Sequence, residues 1–422
     1  MASLRLRCAN RSQVTPVPAF LDALLPAAHL ARLLWDALAL LDLSAFYTDL
    51  KVTVEGPGRA AADPKILVAL WLYATSQGET SARELTRLCV EHLAYLWLCG
   101  GVSMNYHTVS DFRTQHAAAL DTLLTELVAH LLAAGLVDLD HVAQDGVRVR
   151  ASAGAASFRR HPTLETALAE AQAFLAEVQA HAAAPAEPAV SPATQAAQAR
   201  AAQERVARLE AAVAALPAAR AAKKPAEKEE ARVSTTDSEA RVMKMADGGF
   251  RPAYNFQFAA DTRQRVIVGV DVITSGSDTG QLEPMLPQVT DRCGRLPDDW
   301  LVDGGFADLG SIEAGTTAGV RVLAPVRAPK DPARDPHTPL PSDSPAVAAW
   351  RERMATDEGK ATYKLRAATI ECVNAHARSR YGLQQVRVRG LAKVKCLAYW
   401  IALTHNVLIW LHHLQRTQAE TS

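Results

Sequence analysis

The sequence predicts an α/β protein: a mixed sheet flanked by helices, preceded by an all-helical N-terminal domain and interrupted by an alanine-rich helical insertion. Three observations predict it. Apolar residues recur at three- and four-residue steps through the first third, between recognisable helix start and stop signals. Near residue 141 the periodicity switches to two, which marks a strand. Alanine then dominates a long stretch before further strand patterns appear. These changes divide the 422 residues into a helical N-terminal region (1–137), a first part of the sheet domain (138–160), the insertion (161–232), the rest of the sheet domain (233–415) and a tail (416–422).

Each element has a local reason. Asp63 is a cap residue before Pro64, which suits a first helical turn, and the run Ile66, Leu67, Ala69, Leu70, Leu72, Tyr73 ends at Gln77-Gly78. Ser81 with Glu84 forms a capping-box pattern for a second helix carrying Leu85, Leu88 and Leu93, stopped by Gly100-Gly101. Thr108 opens a long third helix through Leu131 to Gly135. Short helices joined by glycine turns suit a helix-turn-helix unit, and equally any small helical domain.

His141–Arg150 alternates, with Ala143, Asp145, Val147 and Val149 on one face and Arg148 and Arg150 on the other. Further strands are expected at Ala253–Ala260, Val266–Val272, Trp300–Asp303 and Val320–Ala324, with a hairpin turn at Asp261–Gln264 and a helix at Gln281–Val289. Helices return over Ala346–Arg380, with breaks, and Lys393–Leu414. In the insertion, Leu164, Leu168, Ala171, Leu175 and Val178, and then Val206, Leu209, Val213 and Leu216, recur at helical steps on either side of a proline-containing stretch, Ala183 to Pro192. Either an antiparallel hairpin with a flexible tip or a solvated linker helix fits this pattern.

Composition narrows the class. A hydrophobic fraction of 49% excludes wholesale disorder. No uninterrupted apolar run reaches the roughly 20 residues that span a bilayer. Arg5, Arg7 and Arg11 are not followed by an apolar run and cleavage site, so no secretory signal is read and a cytoplasmic protein with no membrane contact is expected. Cys8, Cys89, Cys99, Cys293, Cys372 and Cys396 form no CxxC pair and are expected as reduced thiols. A net charge of zero argues against a purely electrostatic nucleic-acid coat, though local basic strips can still contact phosphates.

Three acids are the candidates for the chemistry, each also readable singly as an Arg-paired strand-end aspartate, a turn residue or a solvated helix charge. Asp145 lies on the apolar side of its strand, where an unpaired carboxylate costs several kcal/mol and needs a cation, an arginine or a proton. Asp303 ends the buried run Trp300-Leu301-Val302, and Gly304-Gly305 lets the backbone turn away, as at the carboxyl ends of strands where ligands bind. Two such aspartates can share a pair of hard cations, which activate the attacking oxygen and stabilise the leaving oxygen of a phosphodiester. A third carboxylate, Glu371, is offered by the helix Tyr363–Arg378. At about 100° per residue Arg378 falls within some 20° of Glu371 and Tyr363 about 80° away. Arg378, Arg380, Arg387, Arg389, Lys393 and Lys395 form a basic strip suited to a phosphate track. Asn255 and Asp237 are candidate supports, and His412-His413 reads as an ordinary helix end.

The order of these acids and their flanking text resembles the DDE insertion-sequence transposases, specifically the branch with a Tyr–Arg–Glu–Lys signature. The resemblance is carried by Gln144-Asp145-Gly146, Thr236–Arg241, Tyr254-Asn255-Phe256-Gln257, Gly280–Met285, Val302–Phe306, Arg387–Lys393 and Thr404-His405-Asn406. It extends to Pro64–Leu72, Ser81–Leu85 and His107–Arg113. It implies a ribonuclease-H-like fold and two divalent metal ions, Mg²⁺ or Mn²⁺, held by Asp145, Asp303 and Glu371. It implies a homodimer on DNA as well, with terminal inverted repeats and target DNA as partners. Tyr363, Arg366 and Arg378 would contact phosphates or an extruded base, and Arg387, Arg389 and Lys393 would follow the backbone. The implied chemistry is hydrolysis at the element's end, then attack of the freed 3′-hydroxyl on target DNA. An inactive transposon-derived binder, or a nuclease of the same fold without strand transfer, are the alternatives. The chain departs from the pattern in three places. Arg378 replaces the signature lysine, Asn374-Ala375 stand where Phe and Gly often occur, and four residues rather than three separate Arg366 from Glu371. On an ideal helix that last spacing sets the two about 140° apart.

Overall fold

The computed structural model describes residues 20–48, 61–183, 191–329 and 331–421. Arg5, Arg7, Cys8, Arg11 and most of the Ala183–Pro192 tip lie outside them.

The N-terminal part is helical: α1 (Leu30–Ala37), α2 (Pro64–Ser76), α3 (Ala82–Glu91), α4 (Leu93–Cys99), α5 (Tyr106–Gln115) and α6 (Ala117–Ala133). The expected caps form. The Asp63 carboxylate accepts the Lys65 N–H and Ser81 Oγ accepts that of Glu84. Two helices expected to be continuous are each broken. His92, in extended conformation, ends α3 and caps α4 by accepting the Ala94 N–H on Nδ1. The third helix starts earlier, capped by Asn105, and breaks at His116. Here Trp400 Nε1 donates to the Arg113 carbonyl at 3.0 Å, so a long-range partner satisfies an end that local sequence leaves open.

Next come β1 (His141–Arg150), β2 (Phe158–Arg159), the helices α7 (His161–Ala183) and α8 (Pro192–Ala221), then β3 (Val233–Ser234), β4 (Arg241–Lys244), β5 (Phe250–Asp261) and β6 (Ile267–Ile273). After them follow α9 (Met285–Cys293), β7 (Asp299–Leu301), α10 (Leu309–Thr317), β8 (Arg321–Leu323), α11 (Pro345–Ala355), α12 (Asp357–Arg366), a π-helical turn (Ala367–Glu371), α13 (Cys372–Ser379) and α14 (Leu391–Thr421). Helix α9 begins four residues later than expected, directly after Pro284.

Among the described residues, six strands form one curled mixed sheet in the order β4-β5-β1-β7-β8, with β6 also on β5. β5 runs antiparallel to β1 and β6, while β1, β7 and β8 are mutually parallel. β2 and β3 form a separate two-stranded ladder from which α7 and α8 project as a packed helical pair. Of the alternatives for the insertion, this is the hairpin. It buries its own cluster, including Leu164, Ala171, Val206, Leu209, Ala212 and Leu216, apart from the main core. The main core is continuous from Leu25 to Leu411. Its axis is α14, which packs on α2, α5 and α6 and on β6. By length and mean composition Leu391–Glu420 is apolar enough to cross a membrane, though polar residues interrupt it, and 78% of its most apolar stretch is buried inside the protein. Asn406 fixes it to the sheet, accepting the Ile267 N–H at 2.9 Å and donating to the Ile267 carbonyl at 2.8 Å. The described cysteines Cys89, Cys99, Cys293, Cys372 and Cys396 are free thiols.

Candidate active site

Parallel pairing brings the two aspartates to one place. β1 and β7 are registered through Ala143↔Leu301, and Asp145 and Asp303 each lie two residues further along their chains. Adjacent strands are about 4.8 Å apart, so the sheet carries both carboxylates off neighbouring strands. Asp145 stands opposite Phe258, on the face with Val147 and Phe256, as its parity predicts. Asp303 has left the ladder and accepts the Gly305 N–H at 2.7 Å, so the Asp-Gly-Gly turn braces its carboxylate.

The helical segment supplies the rest. Arg366 Nη2 lies 3.2 Å from Asp145 Oδ2 and its Nη1 3.5 Å from Glu371 Oε1, so one buried guanidinium bridges two acids. The expected 140° separation of Arg366 and Glu371 is not observed, and the reason is the π turn. It winds one extra residue into the helix, which absorbs the additional residue between them. The irregular turn is tied down, with Arg265 Nε donating to the Ala368 carbonyl at 3.0 Å. One turn on, Asn374 Nδ2 donates to Asp145 Oδ2 at 3.2 Å, while its own carbonyl oxygen is buried without a partner.

Burial pushes the Asp145 carboxyl up to about 6; Arg366 and the Gly146 N–H oppose that, and the nearby Asp303 and Asp278 charges add to it. Burial also raises the Tyr363 hydroxyl, which feels Arg366, Asp303, Asp145 and Glu371. Tyr363 therefore belongs to the same cluster. Arg378 turns to the strand, donating to the Arg148 carbonyl at 3.4 Å. Arg387, Arg389 and Lys393 are exposed beyond the far end of β1, where Arg389 Nε donates to the Ser152 carbonyl at 3.3 Å. Lys395 leaves the basic strip for an ion pair with Asp271 at 2.6 Å. Among the described residues no three His, Cys, Asp or Glu side chains are drawn together as a metal cage.

On the opposite face of β1 lies a buried polar layer, of which sequence reasoning singled out Asn255 alone. Asp278 Oδ1 accepts from Asn255 Nδ2 and Gln257 Nε2, both at 2.7 Å, and Arg148 lies 3.6 Å from its other oxygen. Gln144 continues the layer, accepting from Trp300 Nε1 at 3.0 Å and donating to the Gln281 carbonyl at 2.8 Å. A Cβ at Gly146 would collide with Asp278, Gln257 and Asn255, which is why glycine follows Asp145. The available signal was Asn255 and Gln257 alternating along an otherwise apolar strand. Asp237, the other candidate support, instead accepts from Tyr254 Oη at 2.8 Å and the Gly390 N–H at 3.3 Å, fixing the entry to α14.

Residues 19–115 match the family model described as Transposase domain (DUF772), and residues 334–409 match Transposase DDE domain. No curated protein and no solved structure matches the chain. The second match takes in Tyr363, Arg366, Glu371 and Arg378, while Asp145 and Asp303 lie between the two. Both matches are to transposase domains, and together they support an insertion-sequence DDE transposase.

Proposed function

We propose that this chain is a DDE transposase of the branch with the Tyr–Arg–Glu–Lys signature, built on a ribonuclease-H-like sheet. In this reading it cuts DNA at the ends of its element and joins the freed end to target DNA. The observation that supports it is Asp145 and Asp303 leaving adjacent parallel strands, with Arg366 bridging Asp145 to Glu371 across the π turn.

The donors suit divalent cations. Asp145, Asp303 and Glu371 offer hard oxygen ligands, and the Glu371 side chain, paired with Arg366, is 61% exposed. Asp145 is already compensated by a cation, the Arg366 guanidinium. Two bound Mg²⁺ or Mn²⁺ ions would neutralise charge at the scissile phosphate and activate the attacking oxygen. The chain's own residues position and exclude. Asn374 and the Gly146 N–H hold the Asp145 carboxylate, and the polar layer behind β1 fixes the strand. Arg366, released from the acids, presents a planar fork to a phosphate. Tyr363 and Arg378 line the approach, Arg378 in place of the signature lysine, and Arg387, Arg389 and Lys393 extend the phosphate track. DNA is the partner, with two copies of the chain on paired ends, acting in the cytoplasm.

The test is cleavage of a labelled duplex carrying the element's terminal repeat, with Mg²⁺ or Mn²⁺, by wild type and Asp303→Ala. Metal-dependent cutting at the repeat boundary that disappears in the variant is expected. Binding without cutting by either protein would mean an inactive binder. Cutting without joining would mean a nuclease, and equal cutting by both would remove Asp303 from the site.

A further inference from the structure

The insertion carries its charge asymmetrically. Helix α7 has no lysine or arginine and three glutamates, Glu165, Glu170 and Glu177. Helix α8 has four arginines, Arg200, Arg205, Arg208 and Arg220, against Glu204 and Glu210. Ala202, Val206, Leu209 and Ala212 turn the apolar stripe of α8 to α7, which leaves Arg205 and Arg208, three residues apart, exposed on a shared flank. There a groove of about 500 Å³ opens between the hairpin and the body of the protein. Arg159 on β2, Arg205 and Arg208 on α8, and Arg389 before α14 converge on it, with Thr235 and Thr236 between them.

These guanidiniums are positioned and poorly neutralised. Arg159 bonds the Ala156 and Phe158 carbonyls and Arg389 that of Ser152, backbone contacts that orient them without cancelling charge. Arg208 has an exposed intrahelical neighbour, Glu204, at 3.6 Å, a pairing worth little in water. Arg205 has no acidic partner among the described residues. Arginines from three chain segments around an open polar groove fit spaced phosphates better than one carboxylate.

We infer that this groove holds the phosphate backbone of duplex DNA, making the helical hairpin a second DNA-contacting element; the inference rests on the transposase reading. The groove lies beyond the far end of β1, whose five residue steps from Asp145 to Arg150 span roughly 17 Å. That distance is about five base steps along one strand, so the groove grips the duplex to one side of the reacting phosphate.

The experiment measures affinity for a fluorescein-labelled random-sequence duplex across a KCl series. The proteins are wild type, Arg205→Glu/Arg208→Glu, Arg159→Gln and, as a control on the same helix outside the groove, Arg220→Glu. All the altered side chains are exposed or paired only at the surface, and circular dichroism checks each fold. The double variant is expected to bind about tenfold more weakly and to flatten the salt slope by roughly two, with Arg159→Gln losing about one and Arg220→Glu nothing. Unchanged affinity and slope in the double variant, or an equal loss in Arg220→Glu, overturns the groove. If wild type cuts DNA while the double variant keeps its slope, the groove alone is wrong. If the double variant loses binding in a protein that cuts nothing, the groove stands and the transposase reading falls. If wild type binds no duplex at low salt, both fall.

Discussion

Asp145 sits in an apolar face that favours its protonated form, held in check by Arg366. Its folded value, about 6 against 3.8 for a free aspartate, makes it a source of pH-dependent stability. A raised folded value means that the contribution is fully present below the unfolded value and is lost as pH rises through about 6. The metal-free wild type should therefore gain stability over Asp145→Asn as pH falls from 7 toward 4, by up to about 3 kcal/mol. Denaturant melts of the pair at several pH values check this, and a constant difference between them would refute it. His405 has the opposite sense. Burial lowers its value from 6.5 to about 4, so its contribution is present above 6.5 and is lost as pH falls toward 4. The comparison must for that reason be made between variants rather than on wild type alone. Gly146 is the other critical residue at this scale. Gly146→Ala should cost about 1–3 kcal/mol by overpacking the Asn255–Gln257–Asp278 layer, and cleavage should fall further than the loss of folded protein explains. Thermal melts beside cleavage rates separate the two.

At the scale of the element, the π turn brings Arg366 to Glu371, a contact that the proposed function makes part of the site. Deleting Ala367 should convert it to regular α-helix with three residues between the arginine and the glutamate, keeping both on one face and retaining cleavage. Inserting an alanine at the same point should rotate Glu371 by about 100° and abolish cleavage. Equal activity of both variants would show that the Arg366–Glu371 contact is incidental. Arg265→Ala keeps the positive φ of 62° but removes the donor to the Ala368 carbonyl, and should cost about 1 kcal/mol. The extra residue in the signature spacing was legible in the sequence. Its accommodation was not, because a π turn is selected by what packs around it and ideal periodicity has no place for it. The breaks at His92 and His116 were hidden for the same reason: the pattern of apolar residues continues straight through each.

Across the whole molecule, the hairpin buries its own cluster, while the N-terminal helices and the sheet share the core around α14. The ends of the hairpin are adjacent, since β2 pairs with β3 through Arg159↔Val233. Replacing residues 161–230 by a short turn should leave the main thermal transition within a few degrees of wild type while weakening duplex binding. A large drop in that transition would mean that the insertion supports the core after all. Calorimetry of the two proteins makes the comparison.

Local chemistry alone determined the caps at Asp63 and Ser81, the strand parity that turns Asp145 inward, the turn after Asp303 and the helical nature of the insertion. Each depends on neighbours in the chain and on periodicity, which survive without a fold. Tertiary structure decided which strands are adjacent, that β1 and β7 run parallel, that Arg366 bridges Asp145 and Glu371, and that Lys395 pairs with Asp271 rather than joining the basic strip. It also assembled the polar layer behind β1 from residues up to 156 positions apart. Such contacts depend on register and packing between distant segments, and a single sequence carries no local signal for which partner will be found.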